Sequence, residues 1–172
     1  MRRALRLHPD CRSGTVERIE VAVARQGSML RLDYVLTGNP DGIELPAIAA
    51  PERTDELWKH TCFEAFVRPL PGTAYQEFNL APSTRWAAYR FDGYRLGMRN
   101  ADDAPPAITI ERSARSFALH ATLAVPEGAL CLGLSAVIEE RGGAKSYWAL
   151  AHAQGRPDFH HSDCFALELP AA

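Results

Sequence analysis

Apolar and polar residues alternate with period two along most of this chain, and no stretch sustains a helical period beyond about three turns. Ile19, Val21 and Val23 alternate with Glu20, Ala22 and Ala24, and Leu30, Leu32, Tyr34 and Leu36 with Arg31, Asp33 and Val35. Further on, Phe117, Leu119, Ala121, Leu123 and Val125 alternate with Ser116, Ala118, His120 and Thr122. Turn signals separate the runs at Gln26-Gly27-Ser28, Asn39-Pro40-Asp41-Gly42, Pro71-Gly72, Asp92-Gly93, Pro126-Glu127-Gly128 and Gly142-Gly143. Strands of this length and spacing predict an all-β fold, an antiparallel β-sandwich forming one domain over residues 1–172. At most one short helix is expected, at Pro51–Leu57, where the proline suits a first turn.

The segment Leu57–Tyr94 carries the most information. Successive strand side chains point to opposite faces. Trp58, His60, Cys62, Glu64 and Phe66 then share one face, with Phe63, Ala65 and Val67 on the other. In the next run Tyr75, Glu77 and Asn79 alternate with Phe78 and Leu80, and in the third Trp86, Ala88 and Arg90 alternate with Ala87, Tyr89 and Phe91. One face is read as sandwich core. The other is expected to gather Trp58, His60, Glu64, Glu77, Asn79, Trp86 and Arg90 into a platform for a polar ligand.

The glycine pair Gly142-Gly143 suits a two-residue turn with positive φ. That turn pairs Glu140 with Lys145, Ile138 with Tyr147, Val137 with Trp148 and Gly133 with His152. The core face would then hold Leu130, Leu132, Leu134, Ala136, Ile138, Tyr147 and Ala149. Trp148 and His152 would stand on the opposite face beside Gly133 and Ser135, extending the platform. A slip of one residue reverses the assignment.

Composition narrows the function without naming it. With 172 residues, 47% of them hydrophobic, the chain can bury one good core. A net charge of −2 gives no footprint for nucleic acid. No run approaches the roughly 20 apolar residues that span a bilayer, so no membrane partner is expected. The start MRRALRLHPDC has no apolar stretch fit for a signal peptide, and a cytoplasmic location is expected. Four scattered cysteines, without CxxC spacing, read as reduced and mostly buried thiols. Cys62 shares the parity of Glu64, so a reactive thiol and a small buried hydrophobe both stay open. No residue marks an oligomer edge.

Each candidate group has a plainer reading beside the functional one. Trp58, Trp86 and Trp148 can stack on sugar rings, or each can fill a core. Glu64, Glu77, Asn79 and Arg90 can hold hydroxyls, or form an internal ion pair. Two glutamates also evoke glycoside hydrolysis, but nothing in the sequence sets their separation. His152, His160 and His161 could contribute to a metal site, yet adjacent histidines on a strand point apart, and Arg156-Pro157-Asp158 is a turn signal. No metal is therefore assigned. GxSxG, GxGxxG, HExxH and phosphate-loop motifs are missing.

The strings LWKHTCFEAFVRP, YQEFNLAPSTRWAAYRFDGYRLGM and LGLSAVIEERGGAKSYWALAHAQGRPDFHHSDCFAL resemble a bacterial DOMON-like domain. The group includes DOMON domains and family 9 carbohydrate-binding modules, and the resemblance spans about residues 55–169. It implies a β-sandwich that binds sugar or haem at one face or end. For sugar it implies stacking by Trp58 and Trp86, with Glu64, Glu77, Asn79 and Arg90 on the hydroxyls. For haem it implies a Met and a His as ligands; Met29 and Met98 are available, and no CxxCH motif is present. The expectation is a non-catalytic small-molecule-binding module, with a sugar or sugar-nucleotide ligand and no resident cofactor. Haem binding and a purely structural or interaction role are the alternatives.

Overall fold

Alternation becomes strand where a chain can turn one set of side chains into a core. The computed structural model describes Met1–Ala172. Its strands are Arg2–Leu7 (β1), Val16–Gln26 (β2), Met29–Gly38 (β3), Cys62–Pro69 (β4), Tyr75–Leu80 (β5), Trp86–Phe91 (β6), Arg99–Asn100 (β7), Ala107–Arg112 (β8), Ser116–Ala124 (β9), Leu130–Glu139 (β10), Lys145–Ala149 (β11) and Leu167–Leu169 (β12). They form one curled antiparallel sheet in the order β7-β6-β5-β4-β10-β11-β1-β2-β3-β9-β8, with β12 on β10. β1 joins the two layers: Arg2–Leu5 pair with β2, while Arg6 and Leu7 pair with β11.

The facing layers enclose the core that the alternation predicts. Ile19, Val21 and Val23, Leu30 to Leu36 at even positions, and Phe117 to Leu123 at odd positions meet Phe63, Ala65 and Val67 and the even residues of β10. The rings of Tyr34 and Phe63 lie 5.1 Å apart, and the Tyr34 hydroxyl crosses the layers to donate to Glu64 O at 2.8 Å. Close backbone packing is needed where β3 ends. A Cβ on Gly38 would lie 2.1 Å from Thr15 O. Gly38→Ala is therefore expected to cost roughly 2 kcal/mol or more; an unchanged urea midpoint would refute that close approach.

The predicted helix at Pro51–Leu57 does not form. Residues 52–54 run extended along the edge of β6, where Trp86 N donates to Glu52 O (3.2 Å) and Thr54 N to Trp86 O (2.8 Å). Edge pairing satisfies these backbone groups more directly than an isolated helical turn would. Only a 3₁₀ turn at Leu57–Lys59 follows, so Trp58 and His60 precede β4 instead of belonging to it.

Two hairpin registers put a tryptophan on the face opposite to the one expected. The β10–β11 turn has three residues, Arg141–Gly143, closed by Glu140 N on Ala144 O (2.8 Å), with both glycines at positive φ. The pairs are thus Val137 with Tyr147 and Ala136 with Trp148. This one-residue slip puts Trp148 in the main core and Tyr147 on the outer face. The buried indole N–H is satisfied by Ser146 Oγ at 3.0 Å. The β5–β6 loop has five residues, so Leu80 pairs with Trp86 and Glu77 with Tyr89. Trp86 follows Leu80 into the core, and Tyr89 and Phe91 take the outer face.

Candidate ligand-binding cavity

The outer face of the β6-β5-β4-β10-β11 layer carries a second buried cluster, which includes Phe66, Tyr75, Tyr89, Phe91 and Val137. Cross-strand partners share a face, so register orders this surface into rows. One row reads Ala149, Ser135, Glu64, Asn79, Ala87, and the next Gly133, Phe66, Glu77, Tyr89. The row around Glu64 is built mainly of short side chains, leaving room above it. The result is a cavity of about 550 Å³.

Three segments far apart in sequence wall it. Trp58 stands at the rim from the 3₁₀ turn, Arg95 and Met98 come from the β6–β7 loop, and Arg156–His160 cover the opposite side. The two loops are tied together, since Asp158 accepts from Arg95 Nη2 (2.7 Å) and from the Tyr94 hydroxyl (2.5 Å). Those partners hold the Asp158 carboxyl below its ordinary range despite partial burial.

Two carboxylates form the polar floor. Glu64 is 2% exposed and Glu77 5%. Glu64 Oε2 accepts from Ser135 Oγ at 3.0 Å, and Glu77 Oε1 from Asn79 Nδ2 at 2.7 Å. The second oxygen of each has no hydrogen-bond partner in the protein; His160 Nε2 lies 3.7 Å from Glu77 Oε2. Burial first, and the Glu77 charge second, push the Glu64 carboxyl up to about 8. Burial also raises Glu77, opposed by the Asn79 hydrogen bond and by Arg95.

His160 adds no positive charge here. Its ring packs on Phe66 and Phe91, each 5.1 Å away, and its Nδ1 shares a hydrogen bond with the Tyr75 hydroxyl at 2.8 Å. Burial lowers its pKa to about 4, so the imidazole is neutral around pH 7. Its neighbour His161 points away, accepting from Asp163 N. No group of three or more His, Cys, Asp or Glu side chains is arranged to hold a metal.

The residues expected to form the platform divide as follows. Glu64, Glu77 and Trp58 line the cavity. Asn79 lies beneath it, fully buried, and orients Glu77. Trp86 and Trp148 are core residues, for the hairpin reasons given above. Arg90 has the opposite parity to Tyr89, so it points to the other side of the layer and ion-pairs with Asp103 (3.0 Å). His60 is exposed and bonds Glu139 (2.7 Å) beside a separate groove of about 360 Å³. His152 does not line the cavity; its Nε2 donates to Arg6 O (2.8 Å) and its ring meets His8 edge-on. Cys62 is buried, its thiol pushed well above the ordinary range by burial. Residues that sequence reasoning left out include Tyr89, Arg95 and Tyr147. A correct count of hairpin residues would have found the first and third; nothing local marks Arg95.

No protein-family model matches the sequence, and no curated protein matches it. A crystal structure of "a putative carbohydrate-binding protein from Bacteroides uniformis ATCC 8492" superposes with a TM-score of 0.73 at 15% identity, covering 99% of this chain and 85% of that one. The likeness is one of fold.

Proposed function

We propose that this protein is a small-molecule-binding module whose ligand is a saccharide, held in the cavity over Glu64 and Glu77. The observation that carries the reading is the pair of half-satisfied buried carboxylates inside an aromatic-walled cavity. Sugar hydroxyls donate to such oxygens, while ring C–H faces pack on aromatic rings. Trp58 is the stacking residue, Glu64 and Glu77 accept hydroxyl protons, and Asn79 and Ser135 keep the carboxylates in place. The structural neighbour's description as carbohydrate-binding is consistent with this assignment.

Strand register sets the two carboxylates beside one another. Glu64 pairs with Asn79 and Glu77 with Phe66, so the two are diagonal neighbours on one floor. Haem fits the donor set poorly. Met98 and His160 both line the cavity, but the imidazole has Nδ1 bonded to Tyr75 and Nε2 directed at Glu77. An apolar porphyrin face would also cover two buried carboxylates and leave them without donors.

Trp58 is 48% exposed, so its removal leaves the core intact. Trp58→Ala is expected to weaken saccharide binding by about 10-fold or more without moving the melting temperature. Titration calorimetry against a panel of mono- and disaccharides checks this; a mutant with wild-type affinity would overturn the assignment.

A further inference from the structure

The floor of the cavity lacks a cation. Among the charged groups that line it, Arg95 is committed to Asp158 at 2.7 Å and Arg156 lies exposed at the rim. His160 Nε2 stays 3.7 Å from Glu77 Oε2 and neutral, and Arg95 acts on Glu77 only through its field, with its hydrogen bonds going to Asp158. Once the Arg95–Asp158 pair is set aside, two buried carboxylates remain at the deep end and one guanidinium at the mouth. Glu64 Oε1 and Glu77 Oε2 have no hydrogen-bond donor, and both residues face the cavity.

A neutral sugar donates hydrogen bonds to these oxygens but brings no positive charge to a pair whose ionised form burial disfavours. An ammonium group supplies both donors and charge: it has three N–H bonds and no acceptor. The surrounding rings of Phe66, Tyr89, Phe91 and Tyr147 also favour a cation over an anion. We propose that the ligand carries a protonated amine seated between Glu64 and Glu77; resting on the saccharide reading above, its class is an amino sugar.

Proton balance gives the inference its own readout. Before binding, burial of both carboxyls, together with the Glu77 charge acting on Glu64, keeps a proton on the pair around pH 7. The ammonium enters charged and keeps its protons, so the proton on the pair leaves to solvent. The other shifted groups facing the pair do not titrate near pH 7: Cys62 and Tyr89 are raised, while Asp158 and His160 are lowered.

The test is calorimetry at pH 7 in two buffers of different ionisation enthalpy, using glucosamine, glucose, N-acetylglucosamine and benzylamine. Glucosamine is expected to bind at least ~10-fold more tightly than glucose and to release close to one proton, with N-acetylglucosamine behaving like glucose. Glu77→Gln is expected to shrink the preference to within about twofold. Because it keeps the side-chain shape and removes a charge that burial disfavours, melting at or above the wild-type temperature separates lost recognition from lost fold. Equal affinity for glucosamine, glucose and N-acetylglucosamine would overturn the amine and leave the saccharide reading standing. Tight benzylamine binding with no sugar bound would keep the amine and overturn the saccharide. Binding of none of the four would overturn both.

Discussion

Replacing Glu64 with glutamine is expected to make the protein more stable at pH 8 and to remove a fall in stability that the wild type shows between pH 6.5 and 8. Glu64 is raised in the folded state to about 8, mainly by burial, whereas an unfolded glutamate titrates near its ordinary value of 4.5. Between those values the folded chain binds the proton and the unfolded chain does not, so stability declines as pH rises. The full stabilisation is present below the unfolded pKa and is lost as pH climbs through the folded one. His160 acts in the opposite sense. Lowered to about 4, it makes stability rise with pH between about 4 and its ordinary 6.5, which masks the glutamate below that point. From pH 6.5 to 8, above the ordinary histidine value, the buried carboxyls Glu64 and Glu77 dominate, with Glu64 contributing about 1–2 kcal/mol or roughly 3–6 °C of melting temperature for a chain of this size. Glutamine keeps the shape and can still bond Ser135, but it has no charge to desolvate. Melting curves at the two pH values decide it: parallel slopes in wild type and variant would mean that Glu64 is not the group responsible. That a site residue should cost stability is common, because groups placed to meet a ligand are left unsatisfied without one.

Trp148→Ala should damage the protein far more than loss of any other tryptophan. Its indole is 5% exposed, belongs to the main core and has its N–H satisfied by Ser146. Truncation removes that packing, opens a cavity between the layers and strands a buried hydroxyl, at an expected cost of about 3–5 kcal/mol. Thermal melting followed by far-ultraviolet circular dichroism should show a drop of roughly 10 °C or more. Trp86→Ala belongs to the same class but should cost less, since its indole nitrogen already lacks a partner in the fold. The contrast with Trp58→Ala, which touches binding and not stability, separates the three indoles by where they sit. A Trp148→Ala protein that melted normally and lost its ligand would instead restore the two-residue hairpin and put this indole in the cavity.

The core face of most strands was readable locally. In β2, β3, β9, β4 and β5, alternation alone separated the buried set from the rest, because a pleated backbone sends neighbours to opposite sides whatever the tertiary fold. The same rule placed Glu64 and Glu77 together, one pair of positions apart on adjacent strands. β6 and β11 resisted for a shared reason. Both faces of each are covered, the inner by the core and the outer by the second cluster, so Trp-Ala-Ala-Tyr in one and Ser-Tyr-Trp-Ala in the other show no polar side from which to choose. Their orientation hangs on loop length: three residues instead of two after β10, and an odd five after β5, decide which aromatics line the cavity.

The sequence by itself therefore determined the all-β class, the core faces of the strands with one polar side, and the shared face of the two glutamates, all consequences of a period that acts over neighbouring residues. Only the tertiary structure decided which indoles are core, that Arg90 turns away, and that Arg95 and residues 156–160 close a cavity over the glutamates. It also decided how far those carboxyls are desolvated. These depend on hairpin register and on contacts between segments tens of residues apart, and an alternating pattern contains no term for either.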